Sequence, residues 1–174
     1  MNFLELSKKR YSVRGYQDRP VEDDKLKMIL EAGRLAPTAA NRQPQKIYVV
    51  RSAESMTKLR GLCRMTYGAP MALMICYDED ISWKSTTATF GEDYEGGEVD
   101  AAIVTSAMMM QATELGLGSL WVRGMNAQLI HDEFGLPENE HLVAMLMLGY
   151  TDKNAAANKR RSSRKPLEEI VRAL

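Results

Sequence analysis

The sequence is short of the residues that most often carry chemistry. It has two cysteines, Cys63 and Cys76, and two histidines, His131 and His141, among 174 residues. The cysteines have no close pairing, which argues for a reduced, cytoplasmic compartment rather than a disulfide scaffold. The histidines do not fall at metal-ligand spacing from them, so no metal site is expected. Net charge is missing too: Lys+Arg and Asp+Glu both total 23, and nothing favours nucleic acid as a partner. No apolar run nears the roughly 20 residues of a membrane span, and Met1-Asn2-Phe3-Leu4-Glu5 does not read as a signal peptide. No repeat or low-complexity linker divides the chain. Residues 1–174 therefore read as one domain, a length able to bury close to ~70% of its unfolded surface. Apolar content of 45% and charged content of 26% are ordinary for a globular protein.

What is present is a patterned alternation of helices and strands. Asn2 to Lys9 predicts a short helix capped by Asn2, with Phe3 and Leu6 facing inward. A stronger helix follows Pro20: Glu22, Asp23 and Asp24 suit its positive end, and Leu26, Ile29, Leu30 and Gly33 share one face. Ile47 to Val50 reads as a strand, and Met71 to Tyr77 as a second, buried on both sides. Tyr77 to Gly97 is polar and acidic, with Trp83, Phe90 and Tyr94 scattered through it, and reads as a loop or lid. From Val99 to Leu115 runs a helix that is apolar nearly all round and must be covered on every side, at the centre of a monomer or across a homodimer interface. Ser119 to Val122 is strand-like. A further helix starts at Asn126 and stops at Gly135, Leu142 to Leu148 is another buried strand, and a short terminal helix begins at Pro166. Helices and strands intermix, so the class is α+β, a central sheet flanked by helices.

Four segments stand out for function. Arg10-Tyr11-Ser12-Val13-Arg14 is echoed by Arg160, Arg161, Arg164 and Lys165 near the other end. These are either two solvated faces or one shared anion site, since arginine forks and a serine hydroxyl match phosphate oxygens. Ala36 to Pro44 is either a helix-ending turn or a place where small residues admit a flat ligand and Asn41 and Gln43 supply donors and acceptors. Gly116 to Gly124 begins like a dinucleotide fingerprint, but Trp121 stands where the third glycine belongs and a strand follows rather than a helix, so it fails as one. It leaves Arg123-Gly124 at a strand end, where a ligand can meet exposed backbone. The fourth segment is Ser162 to Val171.

In order and spacing, these segments resemble the nitroreductase family of flavin-dependent oxidoreductases. The Arg-x-Ser-x-Arg motif is Arg10, Ser12 and Arg14. The Pro-Ser-x-x-Asn-x-Gln-Pro loop is Pro37, Thr38, Asn41, Gln43 and Pro44. Glu114 to Gly118 matches Glu-Leu-Gly-Leu-Gly before a Trp-bearing strand, and Arg164 to Val171 matches the Arg-Lys-Pro-Leu-Glu-Glu-Ile-Val close. The likeness spans almost the whole chain.

The resemblance implies a three-layer α-β-α sandwich with a mixed, mainly antiparallel sheet, assembled as a homodimer with FMN at the subunit interface. Arg10, Tyr11, Ser12 and Arg14 would meet the phosphate, ribityl chain and pyrimidine edge, with Arg164 and Lys165 closing on the phosphate. Pro37, Thr38, Ala39, Asn41 and Gln43 would come from the second subunit, and Trp121, Val122, Arg123 and Gly124 would lie along one flavin face. NAD(P)H would reduce the flavin at N5, and a nitroaromatic, quinone or similar small oxidant would take the hydride in ping-pong order. No side chain is expected as catalytic acid or base. The cysteines and histidines read as structural or surface residues, and Met108 to Met110 as core and interface. Alternatives are a flavin-binding or storage protein without efficient turnover, a flavoenzyme with one dedicated substrate such as a reductive dehalogenase, and an apo structural dimer. Thr38 replaces the family's common serine. Arg123 sits where a small or acidic residue is usual, either approaching the isoalloxazine and raising its potential or pointing to solvent. The family's asparagine-and-lysine contact before the second strand has no counterpart here, where Leu62 to Met65 stands. The chain is short for the family, which implies a reduced lid and carboxyl-terminal exchange.

Overall fold

Local signals start and stop most of the elements. The computed structural model describes residues 1–86, 93–155 and 163–174; Phe90, Arg160, Arg161 and Ser162 lie outside them. Helix α1, Phe3–Lys9, opens on a reciprocal cap: the Asn2 side chain accepts from the Glu5 amide and the Glu5 carboxylate accepts from the Asn2 amide, both at 3.0 Å. Contrary to expectation, Phe3 is 70% exposed, and Leu6 is half-buried. Helix α2, Asp23–Arg34, buries Leu26, Ile29 and Gly33 as its periodicity predicts. Strand β1, Gln45–Val50, leads to helix α3, Ala53–Leu62, capped by Ser52.

Strand β2, Met71–Asp78, is buried throughout. Two short strands, β3 at Lys84–Ser85 and β4 at Tyr94–Glu95, pair within the expected loop. Helix α4, Gly97–Glu114, is followed by β5, Gly118–Val122. Helix α5, Ala127–Phe134, lies between its Asn126 cap and Gly135, whose φ of 63° suits glycine at that turn. Strand β6, Glu140–Gly149, and the single-turn helix α6, Leu167–Ile170, complete the described elements.

The main sheet has the order β1-β2-β6-β5, and every neighbour is antiparallel. Parallel pairing is confined, among the described residues, to the isolated bridge between Ser12 and Ser119. Alternation along the strands divides the core into two layers. On one face Ala72, Met74, Cys76, Met145 and Met147 pack with Met56 and Leu59 of α3 and Ile130 of α5. On the other, Leu73, Ile75, Leu146 and Leu148 pack with α2 and α4. The register shifts at Ile75/Cys76, opposite Ala144 and Leu142. One extra residue of β6, Val143, is accommodated there, and Val143 and Ala144 fall on the same face. The result is the expected three-layer sandwich.

Helix α4 is not covered on every side by this chain. Ala101, Val104, Thr105, Met108 and Ala112 are buried, whereas Val99 is 49% and Ile103 38% exposed. Among the described residues no helix is long and apolar enough to cross a membrane.

Candidate functional site

Three of the four segments are anchored to the body of the fold, and each anchor has a local cause. Val13 and Tyr16 are buried, so the chain between Arg10 and Gln17 lies against the start of β5. The Val13 amide donates to the Ser119 carbonyl at 3.0 Å and the Gln17 amide to the Tyr150 carbonyl at 2.8 Å. A Cβ on Gly118 would stand 2.8 Å from Val13 Cγ2, so glycine is what lets the two segments approach. This docking leaves Arg10 and Ser12 half-buried and Arg14 exposed. The Arg14 guanidinium lies 6.0 Å from the Tyr67 ring centroid, and Arg10 Nη1 lies 4.0 Å from Met109 Sδ of α4.

A cleft of about 160 Å³ opens beside this segment, bordered by Lys9, Arg10, Tyr11, Thr113, Ser119 and Thr151. Ser119 is buried, and its hydroxyl has no hydrogen-bond partner among the described residues. An orphaned buried hydroxyl costs on the order of 1–3 kcal/mol. Two cations beside one cleft, Lys9 and Arg10, suit an anion.

The Pro37–Pro44 loop is held in an unusual backbone conformation. Ala40, Asn41 and Gln43 have φ of 49°, 53° and 52°. Asparagine visits that region readily, but alanine and glutamine do so at roughly 1–2 kcal/mol each. Thr38 Oγ1 accepts from the Gln43 amide at 3.0 Å, and Gln43 Nε2 donates to the Asn41 carbonyl at 3.3 Å. The Ala39 amide donates to Asp100 Oδ1 of α4 at 2.9 Å. Strain of this kind collects at binding sites, where surrounding contacts over-determine it.

At the far end of β5, Trp121 is half-buried, Val122 buried, and Arg123 and Gly124 exposed. Trp121 borders an open cleft with Val99, Ala102 and Ile103 of α4. Arg123 Nη2 meets both carboxylate oxygens of Glu98, at 2.9 and 2.8 Å. Of the two orientations left open by the sequence, the side chain takes the solvent-facing one in this chain, pairing there with the equally exposed Glu98 of α4.

The carboxyl-terminal cations are not brought to the others. Arg164 donates to the Ser163 carbonyl and Lys165 pairs with Glu169 at 3.5 Å. No hydrogen bond or ion pair among the described residues joins them to Arg10, Ser12 or Arg14. The arginine segment and the Pro37–Pro44 loop are also far apart. Arg10 borders the same cleft as Thr113, near one end of α4, and Ala39 is bonded to Asp100 near the other. Those positions are thirteen residues apart along α4, roughly 20 Å, while Arg10 Nη1 itself reaches Met109 Sδ, nine residues and roughly 14 Å from Asp100.

Neither cysteine supplies a reactive centre. Burial first, and the Glu140 charge second, pushes the Cys76 thiol up to about 12, so it stays protonated and inert at neutral pH. Cys63 is buried as well. Among the described residues no group of His, Cys, Asp and Glu is arranged to hold a metal. Sequence reasoning assigned no role to Asp100 or Ser119. An acidic residue in the first turn of an otherwise apolar helix, and a serine directly after the two glycines, were the available signals.

Comparison with known proteins bears on what this arrangement serves. The family model described as the Nitroreductase family matches residues 7–67 and 60–150. A crystal structure of a nitroreductase family protein from Clostridium difficile is 43% identical, with a TM-score of 0.90 covering 99% of this chain and 98% of that one. A second structure from that organism, an FMN-dependent nitroreductase, is 26% identical with a TM-score of 0.73, covering 94% and 98%. The Bacillus subtilis protein named FMN reductase [NAD(P)H] is 30% identical over 164 residues, 86% of this chain and 66% of its own.

Proposed function

The chain belongs to the nitroreductase family, and from that premise we propose that it is an FMN-dependent oxidoreductase. It draws reducing equivalents from NAD(P)H and delivers them, through one shared pocket and in ping-pong order, to a nitroaromatic, quinone or similar small oxidant. The bound flavin supplies the hydride chemistry at N5. The protein's own residues supply binding, orientation and charge.

The observation that supports this reading is the docking of Arg10, Ser12 and Arg14 along the start of β5, beside a cleft that Lys9, Arg10 and Ser119 border. The donor set fits FMN: Arg10 would meet its phosphate, and Ser12 and Arg14 its ribityl chain and pyrimidine edge. Tyr11 sits between them. Arg164 and Lys165, exposed on the tail and not joined to the arginine segment here, would close on the phosphate. Trp121, Val122, Arg123 and Gly124 provide one wall for the ring system.

Pro37, Thr38, Ala39, Asn41 and Gln43 complete the site from a second subunit. Their separation from Arg10 along α4 supports this assignment, as does the apolar stripe of Val99 and Ile103 that one chain leaves open. Hydride transfer needs no side-chain acid or base, and none is assigned.

The test is an absorption spectrum of purified protein after FMN is added and the excess removed, followed by NADH or NADPH without oxygen. Retained flavin that bleaches quickly is the expected result. Retained flavin that neither nucleotide bleaches would replace the enzyme with a flavin-binding protein. No retained flavin would remove the FMN reading.

A further inference from the structure

Asp100 lies in the first turn of α4 at 2% exposure. A carboxylate so far from water needs donors. Its Oδ1 accepts the Ala39 amide at 2.9 Å, while Oδ2 has no hydrogen-bond partner among the described residues. The Ala39 bond matters because of what else holds the loop. The Asn41 amide donates to the Thr38 carbonyl, the Arg42 amide to the Ala39 carbonyl and the Gln43 amide to Thr38 Oγ1. These bonds close on the loop itself. They set its shape and not its place.

The backbone tie that follows is at Pro44, whose carbonyl accepts the Asp78 amide at 2.9 Å where β1 begins. Between α2 and that point, among the described residues, the hydrogen bond to Asp100 ties the strained residues Ala40, Asn41 and Gln43 to the body of the fold. Ala39 also lies beside Gly96, where an added Cβ would stand 3.5 Å from its own Cβ. That contact is ordinary van der Waals packing and sets no direction, whereas a hydrogen bond to a buried carboxylate does.

We infer that Asp100 is the positioning residue for the Pro37–Gln43 loop: by accepting the Ala39 amide it holds the loop in the left-handed form that meets the flavin. The inference rests on the flavin reading above. Because the loop serves the site across the interface, Asp100 acts on the flavin held by the other subunit's arginines, and it touches no cofactor itself.

Three variants test this. Asp100→Ala removes the acceptor. Asp100→Asn keeps an acceptor for Ala39. Ala39→Pro removes the donor from the other end without touching α4; the preceding Thr38, at φ −133° and ψ 156°, already has the backbone that a following proline requires. Flavin-free protein is read by amide hydrogen exchange at Asn41 to Gln43, and FMN affinity is measured separately by titration. Asp100→Ala should speed exchange and weaken FMN binding by at least roughly tenfold, and Asp100→Asn should recover most of both. Ala39→Pro should speed exchange as Asp100→Ala does. Unchanged exchange in both Asp100→Ala and Ala39→Pro would overturn the inference. So would an Asp100→Asn variant as impaired as Asp100→Ala, since a general defect of the helix start would not distinguish them. Wild-type protein that takes up no FMN, while its exchange still depends on Asp100, would overturn the flavin reading and leave the loop tie standing.

Discussion

The Tyr77 ring occupies the space that a side chain at Gly97 would need: a Cβ built there would stand 2.1 Å from Cδ2 and 2.4 Å from Cε2. Gly97 is the first residue of α4 and Tyr77 lies near the end of β2. Their contact fixes where the helix that organises the site leaves the β3–β4 hairpin. Gly97→Ala should destabilise the fold by about 1–3 kcal/mol, the range for overpacking a filled site. Gly61, inside α3 with nothing within 4 Å of an added Cβ, should respond with the opposite sign. Gly61→Ala should stabilise by about 0.5–1 kcal/mol, because alanine lowers the entropy lost on folding. Denaturant midpoints of the two variants would separate these effects, and equal shifts would contradict the placement of Tyr77.

His131 gives the stability a pH dependence of definite sign. The Pro137 carbonyl, 2.9 Å from Nε2, is the main cause that raises its pKa above the ordinary 6.5, and Asp132 at Nδ1 adds to it. A histidine raised in the folded state contributes stability that is fully present below its unfolded value and is lost as pH climbs through the folded value. The loss therefore begins near 6.5 and ends above it. His131→Gln should lower the melting temperature more at about pH 5.5 than at about pH 8. An equal or larger gap at the higher pH would show that the protonated form gains nothing here.

Much of the architecture was legible because its signals are local. The Met71 to Tyr77 run announces a buried strand, and Asn126 with Gly135 brackets α5 closely. Helix α3 was not legible: only Met56 and Leu59 are buried along it, too few to mark a face. The inward placement of Phe3 failed for a different reason, since an amphipathic pattern states that a face is apolar but not what covers it. The same division holds at the site. Arg10, Ser12 and Arg14 stand out because their chemistry is written in adjacent residues. Asp100 does not, because an acid in a first helical turn is already explained by the helix dipole. Its bond to Ala39, 61 residues away, exists only in the folded chain.

Arg14 tests the flavin contact with little risk to the fold, since it is exposed and its guanidinium lies as far as 6.0 Å from the Tyr67 ring centroid. Arg14→Ala should weaken FMN binding by about 1.5–3 kcal/mol, as expected for loss of a charge-assisted hydrogen bond. Its melting temperature without flavin should be unchanged. A flavin fluorescence titration indistinguishable from wild type would remove Arg14 from the site.

The open side of α4 gives the sharpest test of a shared site. Ile103 is far more exposed than its neighbours Ala101 and Val104, and it borders the same open cleft as Trp121. A lysine at this position stays solvated in a monomer but has to be desolvated in a closed interface, at a cost of several kcal/mol. Ile103→Lys should therefore fold, as judged by a cooperative melt, and sediment as a monomer. If the Pro37–Gln43 loop reaches the flavin from the second subunit, that monomer should also lose its FMN, although every residue in contact with the phosphate is intact. Sedimentation with absorbance read at the flavin band follows both quantities in one run. A folded monomer carrying one FMN per chain would mean that the loop and the arginines serve one flavin within a single subunit, and the assignment of the loop to a second subunit would fall.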